Sequence, residues 1–256
     1  MGRQVPSSLK ALGRQALPTE IDFAGQCYSL NKVFKNDFFA VTAMYAGVNG
    51  KVILKVGRQA SFLLLPMRWV GGLLARRERS ALERLRDIDG VPRFLATLGK
   101  TGIVREYIEG HALTKGERVS DEFHGRLRGL VEAVHARDMA VVDLEKCENV
   151  LVGDDGRPYL FDFQISWYLR KGRRRAWPGR MVLNWFQRGD RYHLLKLQRR
   201  TRSDQMSAEQ LAASYHKPWY VGLHTRATRP FTLVRRMILN RWDPRRTAGE
   251  RGRVGE

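Results

Sequence analysis

Residues 141–164 read VVDLEKCENVLVGDDGRPYLFDFQ. Two short apolar runs, Val150-Leu151-Val152 and Tyr159-Leu160-Phe161, flank Gly153-Asp154-Asp155-Gly156. Apolar runs on either side of a Gly/Asp cluster predict a β-hairpin. Asp143 and Asn149 precede the first strand, and Asp162 follows the second. Asn149 and Asp162 stand 13 residues apart, a hairpin's length, so pairing carries both to neighbouring strand ends. Asp and Asn also cap turns, and a plain capped hairpin is the alternative reading.

The order of these residues resembles the catalytic and metal-binding segment of the protein-kinase-like superfamily, where a catalytic-loop Asp and Asn precede an Asp-Phe-Gly. Phosphoryl transfer asks the protein for positioning and charge neutralisation rather than covalent chemistry. The resemblance implies that Asp143 would orient an acceptor hydroxyl and take its proton. Asn149 and Asp162 would hold Mg²⁺ on ATP through hard oxygen ligands. Two departures stand out. Five residues, 144–148, separate Asp143 from Asn149 where the family has four, so the loop must bulge. Val141-Val142 replace the family's His-Arg, and Gln164 replaces its last glycine.

The same resemblance requires a strand lysine and a helix glutamate upstream. Residues 51–56, KVILKV, alternate like a half-buried strand after the hairpin signal Val48-Asn49-Gly50. Lys55 stands where the family has its phosphate-binding lysine. Residues 75–86 form a helical run with Leu82 and Leu85 on its apolar side, and it stops at Gly90-Val91-Pro92. Glu78 and Glu83 are both candidates for the helix glutamate. Glu78, seven residues before Leu85, matches the family's placement and is preferred. Residues 103–110 read as a strand running into an interlobe hinge, where the backbone of Glu106 and Ile108 would meet adenine.

Between strands expected at 28–34 and 39–46, the family's phosphate-covering glycine loop is replaced by Lys35-Asn36-Asp37-Phe38. A backbone without glycine approaches a phosphate less closely. Downstream, Ser120 reads as the N-cap of a helix. Phe123, Leu127, Leu130, Val131 and Val134 share one buried face of it, and His135 after them reads as structural. The fold class that follows is α+β and bilobal. A small antiparallel-sheet N-lobe with one Glu-bearing helix would precede a compact, mainly helical C-lobe.

A chain of 256 residues with 43% hydrophobic composition can bury a substantial core. Two cysteines, Cys27 and Cys147, give neither a disulfide framework nor metal-ligand spacing, and point to a reducing compartment. The best apolar run, 60–75, is interrupted by Pro66 and Arg68, so no span crosses a membrane. The charge is lopsided: residues 165–256 hold 22 of the 46 basic but only 6 of the 26 acidic residues. They also hold Trp167, Trp177, Trp185, Trp219 and Trp242, five of the six tryptophans. The run 170–180 is arginine-rich, Asp190 reads as the cap of a following helix with Leu194, Leu195 and Leu197, and Phe231, Val234, Met237, Ile238 and Trp242 share a face. Mixed arginine and tryptophan suit an anionic membrane surface. Nucleic-acid phosphates are the weaker alternative, and completion of the C-lobe is the plain one.

The chain divides into a basic segment at 1–20, an N-lobe with hinge at 21–110, a C-lobe with basic extension at 111–242 and a disordered tail at 243–256. The missing glycine loop, the compact C-lobe and the basic tail make it resemble the bacterial lipopolysaccharide core (heptose and Kdo) kinases and divergent serine/threonine-kinase-like proteins. That implies a Mg²⁺-ATP kinase acting on a sugar hydroxyl of an anionic membrane glycolipid, cytoplasmic and peripheral on the inner face of the membrane. A divergent protein serine/threonine kinase, including the RIO type, is the second reading. A non-catalytic kinase-like module that binds membrane or RNA is the third.

Overall fold

A computed structural model describes residues 9–62, 65–169 and 177–216. Trp219, the 231–242 face, the expected tail and most of the 170–180 run lie outside the described residues. The N-terminal half is a six-stranded sheet with strand order β1-β2-β3-β4-β6-β5. Its strands are β1 (Glu20–Phe23), β2 (Gln26–Asn36), β3 (Ala40–Gly47), β4 (Gly50–Gly57), β5 (Phe94–Leu98) and β6 (Gly102–Glu106). Every pairing in it is antiparallel. Period-2 alternation sorts the side chains onto two faces. Val41, Ala43, Tyr45, Val52, Leu54, Val56 and Val104 form a core on one face. The other face carries Thr42, Ile53, Lys55 and Ile103 toward a helix, α1 (Arg68–Arg84).

The α1 helix starts seven residues earlier than the apolar pattern predicts. Gly71 and Gly72 allow close packing: a Cβ on Gly71 would lie 2.1 Å from the Arg58 carbonyl oxygen. Only glycine lets the helix press against the end of β4. The strand at 20–23 was not expected at all, and Ala24-Gly25 turn it back onto β2.

The C-terminal half begins with β7 (Gly110–Ala112) and α2 (Phe123–Ala136), followed by β8 (Met139–Ala140). A hairpin, β9 (Val150–Gly153) and β10 (Pro158–Leu160), comes next, then β11 (Trp167–Tyr168), α3 (Trp177–Thr201) and α4 (Ala208–Tyr215). Gly110 has φ +148°, and a Cβ there would meet the Val152 carbonyl at 2.3 Å, so the crossing from hinge to β9 requires glycine. The α2 helix begins at Phe123, and Ser120 contributes only its backbone carbonyl to Phe123 N–H, so the expected side-chain cap is not formed. Asp190 caps nothing either, because it sits in the middle of α3. One apolar core runs from Ala81, Leu82 and Leu85 of α1 through Phe123, Leu127, Val131 and Val134 of α2 to Leu194 and Leu197 of α3. The helices of the basic third that are described therefore complete the fold. The architecture is the expected bilobal α+β one, and no helix among the described residues is long and apolar enough to cross a membrane.

Candidate active site

Three chain segments far apart in sequence meet at Lys55. Its ammonium lies 2.8 Å from Glu78 Oε2 and 2.8 Å from Asp162 Oδ1. Strand pairing fixes the lysine, with Thr42 on one side and Ile103 on the other. The glycine contact between α1 and β4 brings Glu78 within reach. Both Lys55 and Glu78 are buried. Burial opposes a charged ammonium, but the carboxylates of Glu78 and Asp162 outweigh it and hold the Lys55 pKa above its ordinary value. Burial would likewise raise the Asp162 carboxyl; the Lys55 charge and hydrogen bond, with Lys35 and Lys146 adding to them, keep it below the usual carboxylate range. Glu83 is exposed and pairs with Arg79 at 2.8 Å, away from this cluster.

Below the cluster, the loop carrying Asp143 is held by a residue that the sequence reading misplaced. Asp190, 1% exposed, accepts hydrogen bonds from Val141 N–H and Val142 N–H, both at 2.8 Å. His135 Nε2 lies 2.9 Å from the same carboxylate, so this structural histidine acts on the loop through Asp190. Gln187 Nε2 adds bonds to the carbonyls of His135 and Met139 at 3.1 Å. Val142 is thereby held at φ +73°, a conformation a β-branched residue rarely adopts. A signal for Asp190 did exist. It follows Leu183 by seven residues and precedes Leu194 and Leu197 by four and seven, so an acid occupies a core position of an apolar helix face.

Asp143 follows directly and receives the Lys146 ammonium at 2.6 Å. The extra loop residue is absorbed in a 3₁₀ turn, Cys147–Asn149, that leads straight into β9. Asn149 Nδ2 donates to the Asp143 carbonyl at 2.8 Å, which leaves the amide oxygen of Asn149 for another partner. Across the hairpin Val150 pairs with Leu160, so Asn149 and the 161–162 segment emerge side by side. Asp162 has φ +69°, and Phe163 after it is fully buried. Gln164 takes the family's glycine position without a positive φ, because the turn closes through Ser166, whose N–H and hydroxyl both donate to the Phe163 carbonyl. Arg77 of α1 donates to the carbonyls of Gln164 (3.2 Å) and Ser166 (2.8 Å). One helix therefore grips this segment through its backbone and, through Glu78 and Lys55, through its aspartate.

The hinge is tied down on both sides. Glu106 N–H donates to the Arg93 carbonyl, and its side chain pairs with Arg93 at 3.2 Å. Tyr107 stacks with Phe34 of β2, and Lys51 pairs with Glu109 at 2.7 Å. Ile108 is half-buried between them. Among the described residues there is no cluster of three His, Cys, Asp or Glu side chains able to hold a metal. An Asn and an Asp oxygen beside a cationic cleft nevertheless fit Mg²⁺, which is commonly held by one or two carboxylates with substrate phosphates supplying other ligands.

No protein-family model matches the chain, and no curated protein matches it. Among solved structures it is similar to two of the Rio2 kinase from Chaetomium thermophilum, one of them an ADP/Mg²⁺-phosphoaspartate complex. That complex aligns with a TM-score of 0.52 at 14% identity, covering 72% of this chain and 61% of the other. The second structure aligns with a TM-score of 0.50 at 15% identity, covering 72% and 62%. The chain thus spans about three fifths of the length of those structures. At this identity the likeness concerns the fold, which is the bilobal protein-kinase-like one.

Proposed function

We propose that this chain is a Mg²⁺- and ATP-dependent phosphotransferase of the divergent protein-kinase type, nearer to the RIO kinases than to the sugar kinases. The observation that carries the reading is the Lys55 ammonium held at 2.8 Å by both Glu78 and Asp162. A lysine so placed is oriented by α1 and directed at the residue proposed to hold the metal, the arrangement a kinase cleft needs. The lobes would divide at the hinge, with 21–110 above it and 111–242 below. The Rio2 likeness favours a protein hydroxyl as acceptor. The glycolipid and membrane partners rest on the basic C-terminal third, most of whose arginine runs lie outside the described residues.

In this reading the backbone of Glu106 and Ile108 receives the base, and Lys55 neutralises the phosphates. Asn149 and Asp162 would hold Mg²⁺, which when bound would supply positive charge to the phosphates. Asp143 orients the acceptor hydroxyl and accepts its proton. A bond then forms from the acceptor oxygen to the γ-phosphorus, while the bond to the ADP oxygen breaks and ADP leaves. Lys146, 2.6 Å from the Asp143 carboxylate, keeps it aimed until the acceptor arrives.

Asp143→Asn should leave ATP binding unchanged and lower ADP release from labelled ATP by about 10²–10⁴-fold. Unchanged turnover in that variant removes Asp143 from the mechanism. One Rio2 structure carries a phosphoaspartate, so the stability of any label on the protein is informative too. A hydroxylamine-sensitive label would mark an aspartyl phosphate, and a resistant one a hydroxyl acceptor.

A further inference from the structure

The glycine-free turn above the cleft does more than lack glycine: the backbone amides of residues 37, 39 and 40 are already engaged. Asp37 Oδ1 accepts from Phe39 N–H at 2.9 Å and from Ala40 N–H at 3.0 Å. Asp37 N–H donates to the Ala40 carbonyl, and the Asp37 carbonyl accepts from Ala11 N–H. The Phe38 carbonyl accepts from Arg58 Nη1 at 2.8 Å, and that buried guanidinium lies 3.9 Å from the Phe38 ring centre. Phe39 and Phe62 pack edge-on against the same ring. The turn is pinned from three sides. A phosphate could take the amides of residues 39 and 40 only by displacing a carboxylate that already accepts from both.

What the turn presents to the cleft is a side chain. Lys35 pairs in register with Thr42, and Thr42 with Lys55. Directly opposed residues on adjacent strands project to the same face, so all three share the cleft face. Two strand spacings put Lys35 at roughly 10 Å from Lys55 along the sheet. Its side chain is 56% exposed and rests against Asp37 at 3.1 Å.

We propose that Lys35 is the phosphate-binding group of this lid, a mobile ammonium that takes over from the backbone amides of a glycine loop. The proposal rests on the nucleotide reading above. An ammonium is a compact charge on a flexible stem, so it can reach a phosphate while the turn beneath it stays fixed. It recognises charge rather than shape, so the site should rank nucleotides by phosphate number and lose affinity as salt rises.

The test is titration of wild type, Lys35→Ala and Lys35→Arg with Mg²⁺-ATP, ADP, AMP and adenosine. Lys35→Ala should weaken Mg²⁺-ATP about ten-fold, about the effect of losing one charge-assisted hydrogen bond, while adenosine is unaffected. Lys35→Arg should restore most of the loss. Wild-type affinity for Mg²⁺-ATP in Lys35→Ala overturns the proposal. So does an equal loss for adenosine, which would mean that the turn itself had been disturbed. A wild type that binds none of the four overturns the nucleotide reading, and the role of Lys35 with it.

Discussion

On the upper wall of the cleft Lys55 lies in a strand paired on both sides, whereas on the lower wall Asp143 and Asp162 lie in loops beside or at residues with positive φ. The upper wall is positioned by a repeated pattern. Many backbone bonds share the task, and no single side chain decides the location of Lys55. The lower wall is positioned by a few side chains: Asp190 holds the Asp143 loop, and Arg77 with Ser166 holds the segment after Asp162. Regular structure spreads the work of placing a side chain. Loop structure concentrates it, so the two walls should fail differently when cut.

The sharpest cut is Asp190→Ala. It leaves two loop amides and His135 without their acceptor, and removing one partner from a buried polar cluster costs about 3–5 kcal/mol. Urea unfolding should show that loss, and turnover should fall with it because Asp143 loses its support. A variant of wild-type stability would mean that the lower wall is as redundantly held as the upper one.

A smaller effect comes from pH. His124 is buried where α2 meets α3, with Nε2 2.7 Å from Thr201 Oγ1. Burial, with Arg202 and Arg128 adding to it, pushes its pKa down to about 4 from 6.5. The folded state therefore resists protonation that the unfolded chain accepts. Stability should be complete above pH 6.5 and fall by about 2 kcal/mol as the pH drops toward 4. His193 is lowered by burial in the same sense and adds to the slope. His124→Gln should flatten the curve in that window, measured as melting temperature against pH; an unaltered curve contradicts the assignment.

The smallest effect tests the strain itself. Val142→Gly removes a β-branched residue from φ +73° but also loosens the unfolded chain, so stability should change by no more than about 1 kcal/mol. Chemical denaturation of this variant should overlay closely on wild type. A large loss would show that the Val142 side chain, half-buried against Ala140, Leu169 and Leu183, anchors the loop rather than Asp190.

The contrast between the walls also explains what was legible in the sequence. Lys55, Glu78, Asp143, Asn149 and Asp162 were nameable because their order resembles that of the kinase-like superfamily, with local patterns predicting the strand, helix and hairpin around them. Their meeting in space is visible only in the fold. Asp190 was misread because an Asp before an apolar and basic run looks like a helix cap. The helix in fact starts 13 residues earlier, at Trp177. The helix begins at Arg68 rather than at 75, and local propensity does not register a partner strand that needs the missing side chains of Gly71 and Gly72. The glycine-free turn at 35–38 was plain as an absence, but the engagement of its amides by Asp37 belongs to three-dimensional geometry.

The central claim is that both walls together form one Mg²⁺-nucleotide site, and thermal unfolding with and without Mg²⁺-ATP tests it most directly. Ligand at 100 times its dissociation constant should add about 2.7 kcal/mol to the folded state, a rise of a few degrees for a chain of this size. The account predicts that rise in wild type, its dependence on Mg²⁺, and its absence in Asp162→Ala. No shift in wild type at millimolar Mg²⁺-ATP, or an equal shift in Asp162→Ala, would contradict it.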